Sequence, residues 1–218
     1  MFTTAIILAA GKSTRLGGHT PKQFLKIDGK QVLSYSINTF KNHPSIDELI
    51  IVMSEAYLQK GRELNPNEII VQGGNSRKES ALNGLNSCNK KCDYVLIHDA
   101  ARPFVTNRII DDCINALYEF QAVTPVMPLH NTPVKLNGDE IIDMPDRTSL
   151  FEEQTPQGFH YQTILNAHQN FEGETTDDIK LVFSNGINCC VIKGHENNFK
   201  ITTKLELKLA DVLAKELN

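Results

Sequence analysis

Short apolar runs and helical repeats alternate along most of this chain. Residues 3–9 (TTAIILA) form a continuous apolar run, the pattern of a strand covered on both faces. Over residues 32–40 the apolar side chains recur at helical spacing, and residues 48–53 (ELIIVM) make a second buried strand. Ser54 stands where an N-cap would open a short helix over residues 55–64. A strand over 68–71 follows, then an amphipathic helix over 76–85 that turns Ala81, Leu82 and Leu85 inward. Residues 94–98 (YVLIH) are a strand, 107–120 a helix behind Thr106, and 122–126 another strand. Strands alternating with helices predict a largely parallel sheet with right-handed crossovers.

The alternation breaks after Pro128. Segments 132–136 and 140–143 flank Asn137-Gly138-Asp139, a hairpin signal. A hairpin this small cannot bury its own faces, so a β-arm at about residues 130–146 is expected to pack on a partner. Helices over 161–168 and 176–184, a strand over 188–192 and a terminal helix over 204–217 complete the pattern. No repeat, low-complexity tract or linker interrupts it, so residues 1–218 read as one domain. The expected fold is α/β: three layers around a Rossmann-like, mostly parallel sheet, with a protruding β-arm. Ligands of such sheets lie beyond the carboxyl ends of the strands, here at loops 10–21, 73–80 and 99–106.

Composition narrows the classes. The chain has 218 residues, 40% hydrophobic and 22% charged, ordinary for a folded soluble protein. Twenty-two basic against 26 acidic residues leave a net charge of −4, which argues against general nucleic-acid binding. The longest apolar stretch, residues 5–10, is too short to span a bilayer and follows no basic segment. A cytoplasmic protein with no membrane partner is therefore expected. Cys88, Cys92, Cys113, Cys189 and Cys190 are odd in number, with two adjacent, a poor disulfide framework. No second pair at zinc-ligand spacing follows Cys88 and Cys92, so reduced, structural thiols are expected.

Three loops hold the candidate chemistry. Gly11-Lys12-Ser13 suggests a P-loop, but the glycine that motif requires earlier is Ile6 here. What remains is a small-residue loop whose backbone N–H groups can approach a triphosphate, with Arg15 and Lys22 as cations; the plainer alternative is a solvated basic loop. In the loop from Gly73 to Ser80, two glycines let a flat ring lie against backbone, or else form a turn with Asn75 or Ser76 as N-cap. Asp99 ends a strand, where an acid is more often functional than structural, whereas His98 is expected to pack or hydrogen-bond.

Together and in this order, LAAGKSTRLG (8–17), PKQ (21–23), GGNSRKESALNGL (73–85), HDAARP (98–103), Asp146-Arg147, QTPQ (154–157), Thr176-Asp177-Asp178 and NFKITT (198–203) resemble the 2-C-methyl-D-erythritol 4-phosphate cytidylyltransferase family. The resemblance implies transfer of CMP from CTP to a phosphorylated polyol, with release of pyrophosphate, for isoprenoid precursors. It assigns Ala9, Ala10, Gly11, Gly74, Asn75 and Ser80 to CTP, and Arg15 and Lys22 to the charge developing at the α-phosphate. Asp99, Ala101, Arg102, Thr132, Thr155, Thr176 and Lys200 would line the acceptor and reaction centre. Arg147 would grip the acceptor phosphate from the neighbouring subunit of an arm-exchanged homodimer. Magnesium would be held mainly by the triphosphate, with Asp99 a possible contact and no dedicated protein metal site. The pattern departs at Asn131-Thr132-Pro133-Val134-Lys135, which carries Asn for Asp and one extra residue. Ribitol-5-phosphate cytidylyltransferases share most of these motifs and provide the alternative acceptor; a non-catalytic nucleotide-binding homologue is the alternative outside catalysis.

Overall fold

The computed structural model describes residues 1–11 and 20–217. Its central sheet is built around β1 (Phe2–Ala9), which pairs in parallel with β4 (Glu48–Met53) and β6 (Cys92–Asp99). The apolar runs fill both faces by simple alternation. Ala5, Ile7 and Ala9 of β1, with Leu49, Ile51 and Met53 of β4, pack against α1 (Val32–Lys41) and α4 (Asn107–Ala116). Ile6, Ile50 and Val52 point the other way, into α3 (Arg77–Leu85), α5 (Tyr161–Asn170) and α6 (Asp178–Ser184). Each isoleucine, leucine, valine or methionine among them stabilises the fold by about 2 kcal/mol when removed from water, and that burial holds the three layers together.

The sheet continues through β5 (Ile69–Gln72), β7 (Ala122–Pro128), β10 (Phe151–Glu153) and β11 (Gln157–His160) in the order β10-β7-β11-β6-β1-β4-β5, with β12 (Cys189–Lys193) parallel to β7. Strand β11 runs antiparallel to both β6 and β7. It has no apolar alternation to announce it. Gly158 is needed there because an added Cβ would lie 2.8 Å from Val123 Cγ1. Gln157, wholly buried, satisfies itself by accepting from the N–H groups of Asp178 and Ile179 at 3.0 and 3.1 Å, which caps α6 from a neighbouring strand.

Several boundaries differ from the sequence reading. Ser54 makes no side-chain cap; a 3-10 turn over Glu55–Tyr57 precedes a shorter helix, α2 (Leu58–Leu64). The helix behind Thr106 ends at Ala116 and continues only as turns to residue 120. Helix α6 begins at Asp178 rather than Thr176. In α3 the buried face is Ser80, Ala81, Gly84 and Leu85, with Leu82 half-buried. A small hairpin, β2 (Lys26–Ile27) and β3 (Lys30–Gln31), has no counterpart in the hydrophobic pattern; Asp28 and Gly29 turn it with φ of 46° and 74°, the positive values such a tight turn requires.

The arm is a two-stranded hairpin, β8 (Lys135–Asn137) and β9 (Glu140–Asp143), which turns at Gly138-Asp139 and so starts later than residue 132. It leaves from a closed base, where Phe151 pairs with Pro128 and the Leu129 N–H donates to the Leu150 carbonyl at 3.2 Å. The last helix, α7 (Lys204–Leu217), covers Ile27, Val32, Phe104 and Ile201 with Ala210 and Ala214. No helix among the described residues is long and apolar enough to cross a membrane. All five cysteines are free thiols.

Candidate active site

A cavity of about 340 Å³ opens at the carboxyl ends of β1 and β6. Ala9, Ala10 and Gly11 continue β1 into one wall, and Gly74, Asn75 and Ser80 form another. Lys22, Asp99, Ala101 and Lys200 complete the polar side. The walls touch at Gly73, where an added Cβ would lie 2.6 Å from the Cβ of Ala10, so a side chain at 73 would push the loops apart. Buried Gln23 ties the first loop down, its amide donating to the carbonyls of Ala9 at 2.6 Å and Gly11 at 3.3 Å.

The second loop is shaped by helix-cap chemistry. Ser76 is the N-cap of α3, its hydroxyl accepting from the Glu79 N–H at 3.1 Å. Ser80 accepts from the Gly74 N–H at 3.1 Å and donates to the Ser76 carbonyl at 2.8 Å. Glu79 reaches back to accept from the Asn75 N–H at 2.6 Å. The backbone around the two glycines is therefore held open rather than left loose.

Asp99 is the electrostatic centre. Burial alone would push its carboxyl up, but Arg77, Lys200 and Arg102 more than offset this and hold it far below the usual carboxylate range. Lys200 Nζ lies 2.7 Å from Oδ2 and Arg77 Nε lies 3.6 Å from Oδ1. Lys22, from the opposite end of the chain, donates through Nζ to the Ile201 carbonyl at 2.8 Å. His98 is wholly buried behind the site, where desolvation pushes it down to about 4, so it is neutral and structural, as expected from sequence.

The remaining site candidates lie elsewhere in the chain. Thr155 is buried behind the cavity, accepting from the Asp99 N–H at 3.1 Å. Arg102 is spent as a clip, donating to the carbonyls of Asn198 at 2.9 Å and Glu153 at 3.2 Å. Thr176 is exposed and donates to Asp177 at 2.7 Å. Thr132 and Arg147 are exposed near the arm, Arg147 donating to the His130 carbonyl at 2.8 Å. Arg15 lies outside the described residues. Sequence reasoning passed over Leu8, Gln23, Ser76, Arg77, Ala100 and Thr202, which also line the cavity. The signal for each was its place inside a quoted motif, without a chemical reason to select it. Among the described residues no group of three or more metal-ligating side chains is found.

A cavity large enough for a small-molecule ligand at the carboxyl end of a parallel sheet, walled by a small-residue loop and two lysines, fits a nucleotidyltransferase of the α/β type. Comparison with known proteins specifies it. The profile of the family described as IspD, 2-C-methyl-D-erythritol 4-phosphate cytidylyltransferase, matches residues 3–216, and the chain belongs to that family. A Clostridium botulinum (strain 657) protein of that name is 38% identical, covering 98% of each chain. The crystal structure of 4-diphosphocytidyl-2C-methyl-D-erythritol synthase from Anaerococcus prevotii superposes with a TM-score of 0.88 at 26% identity, covering 98% of this chain and 96% of that one. The 2-C-methyl-D-erythritol 4-phosphate cytidylyltransferase of Thermus thermophilus superposes with a TM-score of 0.81 at 27% identity, covering 96% of this chain and 98% of that one. The family's activity, cytidylyl transfer from CTP to 2-C-methyl-D-erythritol 4-phosphate in isoprenoid synthesis, is the activity of this chain, and the ribitol phosphate alternative is not favoured.

Proposed function

We propose that residues 1–218 work as one cytidylyltransferase domain whose cavity brings the acceptor phosphate in line with the α-phosphate of CTP. An oxygen of the acceptor phosphate attacks the α-phosphorus, the bond to the bridging oxygen breaks, and pyrophosphate leaves. A phosphate monoester is mostly dianionic near neutral pH, its second pKa being about 6, so the step needs no general base. The barrier is the meeting of two polyanions and the charge gathered at the α-phosphate. The observation that carries this reading is the pair of lysines, Lys22 and Lys200, lining one cavity from opposite ends of the chain.

Lys22, with Arg15, stabilises the transition-state charge, and Lys200 meets the incoming phosphate. Ala9, Ala10, Gly11, Gly74, Asn75 and Ser80 hold the nucleotide, the last three reading cytosine by backbone and hydroxyl groups. Asp99 and Ala101 would meet the acceptor, Arg102 and Thr155 would hold that wall from behind, and exposed Thr132 and Thr176 would complete the acceptor side. A magnesium ion takes one or two carboxylates together with substrate phosphates, and among the described residues lining the cavity Asp99 supplies the carboxylate. Carried on CTP, that ion would neutralise phosphate charge and add to what the lysines supply.

The working form we propose is a homodimer joined through the arm. Leu136, Ile141, Ile142 and Met144 are each more than half exposed on a hairpin too small to stand alone, so a two-fold partner is the natural cover. Such an exchange would bring Arg147 of one subunit to the acceptor phosphate of the other. The free thiols suit a reducing compartment, and we assign the protein to the cytoplasm. The test is pyrophosphate release from CTP with each acceptor in turn. Turnover is expected with 2-C-methyl-D-erythritol 4-phosphate and little with ribitol 5-phosphate; UTP should be the best of the wrong nucleotides. Equal turnover of GTP and CTP would overturn the base-reading role of the loop at Gly74.

A further inference from the structure

A chain of polar contacts runs from the protein interior to the cavity. His168, at the end of α5, lies with Nε2 3.0 Å from Asp178 Oδ1. The other oxygen of Asp178 is 2.6 Å from Nη1 of Arg77, and Nε of Arg77 faces Asp99 Oδ1 at 3.6 Å. Lys200 closes the chain at Asp99 Oδ2. Asp178 has a side chain with no solvent exposure and a backbone N–H bound by Gln157, so it is a fixed post. Arg77 is the strut between that post and Asp99.

Two features separate this arrangement from an ordinary stabilising ion pair. The guanidinium is incompletely satisfied: among the described residues, Nε and Nη2 of Arg77 are buried without a hydrogen-bond partner. A side chain kept only for stability would fill those positions, since buried donors left unpaired are costly. The strut also joins segments from three parts of the chain, the start of α3, the end of β6 and the start of α6. Without Arg77, Asp99 would keep Lys200, 2.7 Å away, and Arg102 as its cations, and would be free to turn both oxygens onto Lys200. That would draw the ammonium, already held at Oδ2, further from the anionic substrates it must meet.

We propose that Arg77 is a positioning residue for cytidylyl transfer: braced by Asp178 and His168, it holds one oxygen of Asp99 and so keeps Lys200 turned to the cavity. The inference rests on the assignment of Lys200 to the reaction centre. Lysine in place of Arg77 keeps a charge but lacks the planar fork that touches Asp178 and Asp99 together.

The experiment compares wild type with Arg77→Lys and with the double variant Arg77→Met/Asp178→Asn, which leaves no unpaired charge at the post. Calorimetric titration with CTP alone counts competent sites and gives the affinity; pyrophosphate release with saturating acceptor then gives kcat per competent site. A displacement of about 1 Å in a reacting group can cost about a hundredfold, and a kcat loss of that order is expected in both variants with little change in CTP affinity. Guanidinium chloride added to Arg77→Ala should restore part of the lost kcat. If kcat per competent site is unchanged, Arg77 is structural and the proposal falls. If CTP affinity falls in step with kcat, Arg77 binds the ground state and the proposal also falls. Lys200→Ala with normal kcat would instead defeat the assignment of Lys200, a separate outcome.

Discussion

The backbone N–H of Asp99 donates to Oγ1 of Thr155 over 3.1 Å, and the same hydroxyl lies 3.0 Å from Nδ1 of His98. Nε2 of His98 lies 3.0 Å from the Arg102 carbonyl, which can only accept, so the neutral ring carries its proton there and Nδ1 accepts from Thr155. In this relay Thr155 links the two residues, accepting from one and donating to the other, and fixes the backbone that carries Asp99.

Thr155→Val breaks two links at once and leaves a buried N–H and a buried ring nitrogen unpaired. Destabilisation of about 1–3 kcal/mol is expected by denaturant unfolding. Thr155→Ser keeps the hydroxyl and should stay within about 1 kcal/mol of wild type. Equal losses in the two variants would mean that the methyl group, not the hydroxyl, matters.

The relay also predicts a pH dependence. Burial lowers His98 from 6.5 to about 4 in the folded protein, while the unfolded chain titrates at the ordinary value. Between those values the unfolded state binds a proton that the folded state refuses. The contribution of His98 to stability is therefore whole above pH 6.5 and drains as pH falls toward 4, reaching about 3 kcal/mol. His98→Gln should lose stability less steeply across that window. Parallel unfolding curves against pH for the two proteins would refute this.

Lys22→Ala and Arg15→Ala should each lower kcat by about a hundredfold or more, with a much smaller rise in KM for CTP. Both cations are assigned to charge that grows in the transition state, and such contacts act on kcat. Steady-state kinetics of pyrophosphate release decides it. Near-normal kcat in both variants would remove them from the mechanism.

Much of the fold was legible because hydrophobic period reports burial directly. Residues 48–53 and 204–217 form the expected elements at the expected bounds, since a doubly covered strand and a long amphipathic helix leave little else for those sequences to do. Strand β11 was illegible for a physical reason: its place in the sheet depends on Gln157 and Gly158, whose fitness comes from partners far along the chain. The site divided in the same way. Gly74, Asp99 and Lys200 could be selected from motifs, but Arg77 could not, because its meaning lies in the distances to Asp178 and Asp99.

The arm predicts complementation between damaged subunits. Arg147→Ala and Lys22→Ala, each inactive alone, should recover up to about half of wild-type activity in mixed dimers, because one site per hybrid then holds both native residues. Verified hybrids with no recovery would put both residues in one subunit's site. Light scattering showing a fully active monomer would remove the shared site altogether.

The grip of Lys22 on Ile201 also governs when the enzyme can first act. A ribosome delivers the nucleotide loop early, and the strands around it begin to order while later segments are still being made. The far wall arrives only with Lys200 and Thr202, and Ile201 must donate its N–H to the Ala101 carbonyl, 2.8 Å away, before that wall is seated. A nascent chain halted short of this point carries nearly every strand of the sheet and only an open half of the cavity. The cavity thus closes only once residues 200–202 have been made.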